Sequence, residues 1–176
     1  MDYVTALRAL QYDLEQRSNR DTDYDIPYST VHVGQIRSGT ALNIVPDSAE
    51  VLFEFRHLAE DDPEDLAHRV FQAADAVTAP HAQAASIELR PLAAYPGLAT
   101  PPTQAAVAMA RDWSGAQTCK VAFGTEAGFL SDLRIPTVVC GPGSMAEQGH
   151  KPDEYVTQLQ LFKCAQMLEN AVAKLL

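Results

Sequence analysis

One imidazole in this chain sits where it can bind a metal. His150 lies in the tetrapeptide His-Lys-Pro-Asp, after the break Gly141-Pro142-Gly143. Pro152 keeps the residue before it out of a helix. Neutral imidazole is a common zinc ligand. Asp153 and Glu154 can orient the ring or share its ion. Read alone, His150 is either a ligand or a solvated loop histidine. Arg56 closes the run Phe-Glu-Phe-Arg. A guanidinium fixed at a strand end suits two-point capture of a carboxylate, and the bland alternative is an edge arginine in water. Asn43, ahead of Ile-Val-Pro, can donate its amide to a developing oxyanion or simply serve a turn. Thr125 and Glu126 follow Gly124, and a loop cap is their plain alternative.

The other histidines, His32, His57, His68 and His81, show no ligand spacing. No Ser-His-Asp ordering, phosphate-binding loop or Gly-x-Gly-x-x-Gly fingerprint is present. Gly-Pro-Gly at 141–143 is a weak signal by itself.

These residues need elements to hold them. Residues 3–17 place Val4, Leu7, Leu10, Tyr12 and Leu14 at helical spacing. A polar loop over 18–27 leads to a strand over 28–37, with Val31, Val33 and Gln35 alternating against Thr30, His32 and Gly34. A second strand over 49–56 turns Val51, Phe53 and Phe55 one way. Asp61 or Asp62, with Pro63, opens a helix over 61–78 whose stripe is Leu66, Val70, Phe71, Ala74 and Val77. A third strand is expected over 84–92. Helix, strand, strand, helix, strand is a ferredoxin-like α+β pattern lacking its first strand.

Residues 93–102 are rich in proline and read as a linker. They divide the chain into 1–93 and 94–176. The second part is expected to hold a helix over 103–113, short strands over 119–123 and 135–140, and a helix over 156–176. The 135–140 run is apolar enough to be buried on both faces. Leu159, Phe162, Leu168, Val172 and Leu175 are the expected inner stripe of the last helix.

The chain has 176 residues and a net charge of −10, with 47% hydrophobic and 20% charged residues. That composition is globular. The acidity disfavours nucleic acid and anionic membrane surfaces as partners. No apolar run reaches the roughly 20 residues of a membrane span. Cys119, Cys140 and Cys164 are widely spaced and read as buried free thiols of a cytoplasmic protein, not a metal site.

Two segments carry a family resemblance. RSGTALNIVPDSAEVLFEFR (37–56) resembles the lid domain of the zinc-dependent M20 peptidase/deacetylase family, and in particular its acetylornithine deacetylase group. VAFGTEAGFLSDLRIPTVVCGPGSMAEQGHKPDEYV (121–156) resembles that family's last catalytic segment. Their joint occurrence, in order across a linker, is more specific than either alone. The resemblance implies that residues 1–93 are a lid and dimerisation domain, with 94–176 a partial α/β segment of the catalytic domain. It implies metal-assisted hydrolysis of an N-acyl amino acid, with two zinc ions activating a water and a glutamate as general base. It makes His150 a metal ligand, Arg56 and Asn43 substrate and transition-state contacts, and Thr125 and Gly141 pocket residues. It also implies a homodimer formed through the lid.

The family's His-x-Asp motif and Glu-Glu pair, which supply most ligands and the general base, do not occur here. The expectation is therefore a C-terminal fragment with no general base of its own, inactive alone and binding zinc at most weakly. A non-catalytic dimerisation module is the alternative. So are other activities of the family: succinyl-diaminopimelate desuccinylase, aminoacylase or carboxypeptidase.

Overall fold

The computed structural model describes residues 1–176, the side chain of Ala146 excepted. Its elements are α1 (Asp2–Gln16), β1 (Thr30–Ser38), β2 (Ala49–Arg56), α2 (Pro63–Thr78), α3 (Ala105–Ser114), α4 (Ala127–Asp132), α5 (Met145–Gln148) and α6 (Gln158–Leu175). They fall into two compact units. The first holds Met1–Gly97 and Lys120–Phe123, and the second Leu98–Cys119 and Gly124–Leu176.

The first unit is α+β. In α1, Tyr3, Leu7, Leu10 and Leu14 recur every three or four residues, so one face is apolar and buried. Leu66, Val70 and Ala74 do the same for α2. The Asp62 carboxylate caps α2 by accepting from the Glu64 N–H at 2.8 Å. Pro63 fills the first turn, where no N–H is needed. Both helices pack together, and α1 lies on the β1–β2 hairpin. Val31 completes the core, with Val33, Phe53 and Phe55 packed against it. Tyr3 meets Phe53 edge-on, ring centroids 6.0 Å apart. Tyr12 and Phe71, expected inside, are exposed. Each lies at the rim of its stripe, where no neighbouring element covers it.

The hairpin is antiparallel, with Val31 opposite Phe55 and Val33 opposite Phe53. The register then slips, so that Gln35 faces Leu52 and Ile36 faces Val51. Gly34 is the extra residue of a bulge. The simple alternation expected for this strand fails there: Ile36, not Gln35, joins Val31 and Val33 on their face.

A buried polar knot closes the unit. Ser29, 2% exposed, donates to the Asp61 carboxylate and accepts from the Leu58 N–H at 2.9 Å. The Asn19 amide donates to the same carboxylate at 3.0 Å. The 18–27 loop is thereby tied to the β2–α2 connection.

Three expected strands are absent. Residues 84–92 form no ladder, although Ile87 and Leu89 still pack against the core. Residues 119–123 and 135–140 are likewise unpaired. Ile135, Val138, Val139 and Cys140 are exposed rather than buried on both faces. An apolar run becomes a strand only when a neighbour supplies ladder partners, and the sheet here has two strands.

The second unit is helical. α6 starts with a capping box: Thr157 Oγ accepts from the Gln160 N–H at 3.2 Å, and Gln160 Oε1 accepts from the Thr157 N–H at 3.1 Å. α6 packs against α3, helped by the Lys174–Asp112 ion pair and by Asn170 donating to the Trp113 carbonyl at 3.1 Å. Its expected inner stripe is exposed at Leu159, Phe162, Leu168, Val172 and Leu175. A stripe is buried only where another element faces it, and α3, with ten residues, is shorter than the 18-residue α6. The cysteines are free, but Cys119 and Cys140 are exposed and Cys164 half-buried, which corrects the expectation of buried thiols. None of the helices of the described residues is long and apolar enough to cross a membrane.

Candidate functional site

Arg56 is the most engaged of the candidate residues. It ends β2 opposite Thr30, on the strand face that also carries Glu54 and, across the register, His32. The opposite face carries Phe53 and Phe55 into the core. Arg56 Nε donates to Glu54 Oε1 at 2.9 Å, and Nη2 reaches the same oxygen at 2.9 Å. Nη1 donates to the Ala122 carbonyl. The guanidinium is thus anchored on two sides, while the pair remains half in water.

Ala122 belongs to a short segment held onto the first unit by side chains. Lys120 Nζ pairs with Asp21, lies 3.6 Å from Asp23, and sits 5.4 Å over the Tyr24 ring. Hydrogen bonding to Lys120 holds the Asp21 carboxyl below the usual carboxylate range and raises the Lys120 ammonium correspondingly. The segment ends one residue before Gly124-Thr125.

Asn43 lies in the exposed β1–β2 loop, between Ser38 and Ala49. Arg56 is at the other end of the same strand. Eight strand residues at about 3.3 Å each separate the two ends by roughly 25 Å. The structure does not bring Asn43 and Arg56 of one chain together. The loop tip around Asn43 exposes Leu42, Ile44 and Val45.

Thr125, Gly141 and His150 belong to the second unit. Thr125 Oγ accepts from the Ala127 N–H at 3.1 Å, two residues along the chain at the start of α4. Gly141 is exposed, and a methyl group added there would meet no atom within 4 Å. His150 follows α5 in a left-handed conformation, φ 59°, and Asp153 repeats this at φ 58°. Such backbone is uncommon outside glycine, though His and Asp are among the residues that enter it most readily. The His150 side chain is exposed, and no hydrogen bond joins it to Thr125 or Asp153 among the described residues.

A zinc site takes about three protein ligands. Among the described residues no group of three or more His, Cys, Asp or Glu is placed to hold an ion. The described residues by themselves do not fit a zinc centre.

Sequence reading did not single out Glu54 or the Ala122 carbonyl. Glu54 had a signal: two residues apart on a strand, Glu and Arg share a face. The Ala122 carbonyl had none, since a backbone contact across 66 positions leaves no trace in side-chain types.

The chain is similar to known proteins of one kind. A family model of the peptidase dimerisation domain of M20 enzymes matches residues 2–82. An acetylornithine deacetylase from Pectobacterium carotovorum subsp. carotovorum (strain PC1) is 33% identical over 154 residues, covering 87% of this chain and 39% of the relative. One from Myxococcus xanthus is 30% identical over 160 residues, covering 89% of this chain and 41% of the relative. One from Edwardsiella ictaluri (strain 93-146) is 34% identical over 152 residues, covering 86% and 38%. The chain therefore spans about two fifths of the length of the curated relatives it matches. Residues 2–82 thus match the peptidase dimerisation domain of M20 enzymes, and the chain as a whole is similar to acetylornithine deacetylases along most of its length.

Proposed function

We propose that this chain supplies a dimerisation domain (1–93) and the closing segment of a catalytic domain (94–176) to a metal-dependent amidohydrolase acting on an N-acyl amino acid, of the acetylornithine deacetylase kind. One observation supports this above others: relatives of that single kind align over 86–89% of the chain, too much of it to fall within either unit. In this reading Arg56 takes the substrate carboxylate and Asn43 the developing oxyanion. Thr125 and Gly141 line the pocket, and His150 is one metal ligand. The remaining zinc ligands and the general base lie outside these residues, so the chain alone does not hydrolyse substrate. The test is turnover of acetylornithine with added zinc. No turnover is expected. Activity abolished by a chelator would overturn the claim that the site is incomplete. Calorimetric binding of acetylornithine, compared with that of N-succinyl-diaminopimelate and other N-acyl amino acids, identifies the substrate class.

A second reading is favoured by the match to a dimerisation domain. The chain pairs with a second copy through the first unit, in the cytoplasm, with no nucleic acid or membrane partner. The two-stranded sheet has ladder groups open at its outer edges. Beside β1 runs a 530 Å³ groove against α1, lined by Leu7, Tyr12, Val31, Val33 and Ile36 among others. Light scattering after size exclusion should give twice 19.1 kDa. A strict monomer at high concentration would refute pairing without touching the first reading.

A further inference from the structure

We propose that Glu54 is a built-in competitor for the carboxylate of the substrate at Arg56, and so sets which ligands that guanidinium accepts. The inference rests on the reading of Arg56 as the substrate-carboxylate contact. An arginine offers a carboxylate two edges for a two-point contact: Nε with Nη2, and Nη1 with Nη2. Both are engaged here. Glu54 Oε1 takes the first edge, 2.9 Å from Nε and 2.9 Å from Nη2. The Ala122 carbonyl takes Nη1 on the second.

The Glu88–Arg90 pair shows what is particular about this arrangement. It has the same spacing in sequence and a two-point contact at 2.8 Å, but Arg90 makes no further hydrogen bond among the described residues. At Arg56 the backbone carbonyl holds the group from a second side, so the guanidinium is aimed while its charge is neutralised. An incoming carboxylate must displace Glu54 to reach the Nε edge. A neutral ligand gains nothing from doing so. Glu54 thereby raises the threshold for any anion at this point. Ligands that bind by further contacts exceed it, whereas small stray anions do not.

The test measures binding of acetylornithine, or of its methyl ester, which lacks the carboxylate, by titration calorimetry, and follows the Arg56 Nε–H resonance by NMR in the proteins that keep Arg56. Wild type, Glu54→Gln and Arg56→Met are compared. Glutamine keeps the shape and a neutral acceptor, and position 54 is exposed, so folding is not at issue. Glu54→Gln should lower the half-saturating acetylornithine concentration about two- to five-fold, the scale of an exposed ion pair, and leave the ester unaffected. Equal midpoints in wild type and Glu54→Gln, with overall binding lost in Arg56→Met, would overturn the role of Glu54 and leave the Arg56 reading intact. Binding that is the same in Arg56→Met, or no shift of the Arg56 resonance in either other protein, would overturn both.

Discussion

The Tyr3 hydroxyl donates to the Val70 carbonyl at 3.4 Å, tying the first turn of α1 to the middle of α2. Burial pushes the Tyr3 phenol up from 10.0 to about 12. The folded state therefore holds its proton more tightly than the unfolded chain. Stability is fully present below pH 10 and falls as pH rises toward 12. Tyr3→Phe should cost about 0.5 kcal/mol near neutrality, since the lost bond is long. It should also flatten the alkaline limb of a stability–pH curve measured by urea unfolding.

Ser29→Ala tests the polar knot. It leaves the Leu58 N–H buried without its acceptor and removes one donor from Asp61. The expected cost is about 1–3 kcal/mol, read as a lower urea midpoint with an unchanged slope. A loss near zero would mean that water replaces the hydroxyl.

Asp13 is one of the carboxylates that contribute on the acid side. It accepts from Arg69 Nη2 at 2.5 Å and lies 3.6 Å from Arg17 Nε. The Arg69 hydrogen bond is the main cause holding its carboxyl below the ordinary 3.8. A depressed carboxylate contributes stability that is present above pH 3.8 and lost as pH falls through its folded value. Asp13→Asn should make the acid limb shallower. It should also destabilise at pH 7, because Arg69 Nη1 is already buried without a partner.

Thr157→Ala removes the capping box of α6. A loss of about 1 kcal/mol is expected, confined to the helix start. Hydrogen exchange should speed up at the amides of residues 158–161 and not in α1 or α2.

The first unit was legible because its signals are local. Leu7, Leu10 and Leu14 announce α1 by spacing, and Asp62-Pro63 announces the start of α2. β1 and β2 were expected within two residues of where they lie. The bulge at Gly34 was not, since register belongs to a pair of strands rather than to either one. The failures at 84–92, 119–123 and 135–140 have one cause. A run such as Ile-Pro-Thr-Val-Val-Cys shows apolar character, but strand formation depends on a partner's backbone that its own sequence does not encode. At the candidate site, Arg56 could be read from Phe-Glu-Phe-Arg. That it would be clasped by both Glu54 and Ala122 depends on where residues 120–123 come to rest.

The extra residue in β1 has a consequence for how this hairpin tolerates change. Losing the single codon for Gly34 would restore even pairing without exchanging a partner: Gln35 would still meet Leu52 and Ile36 would still meet Val51. Replacing Gly34 by a residue that pairs evenly is the harmful change, because it would turn Gln35 toward the interior and Ile36 toward solvent. The hairpin would thus survive a deletion at the one point where forcing regular alternation would re-aim its tip.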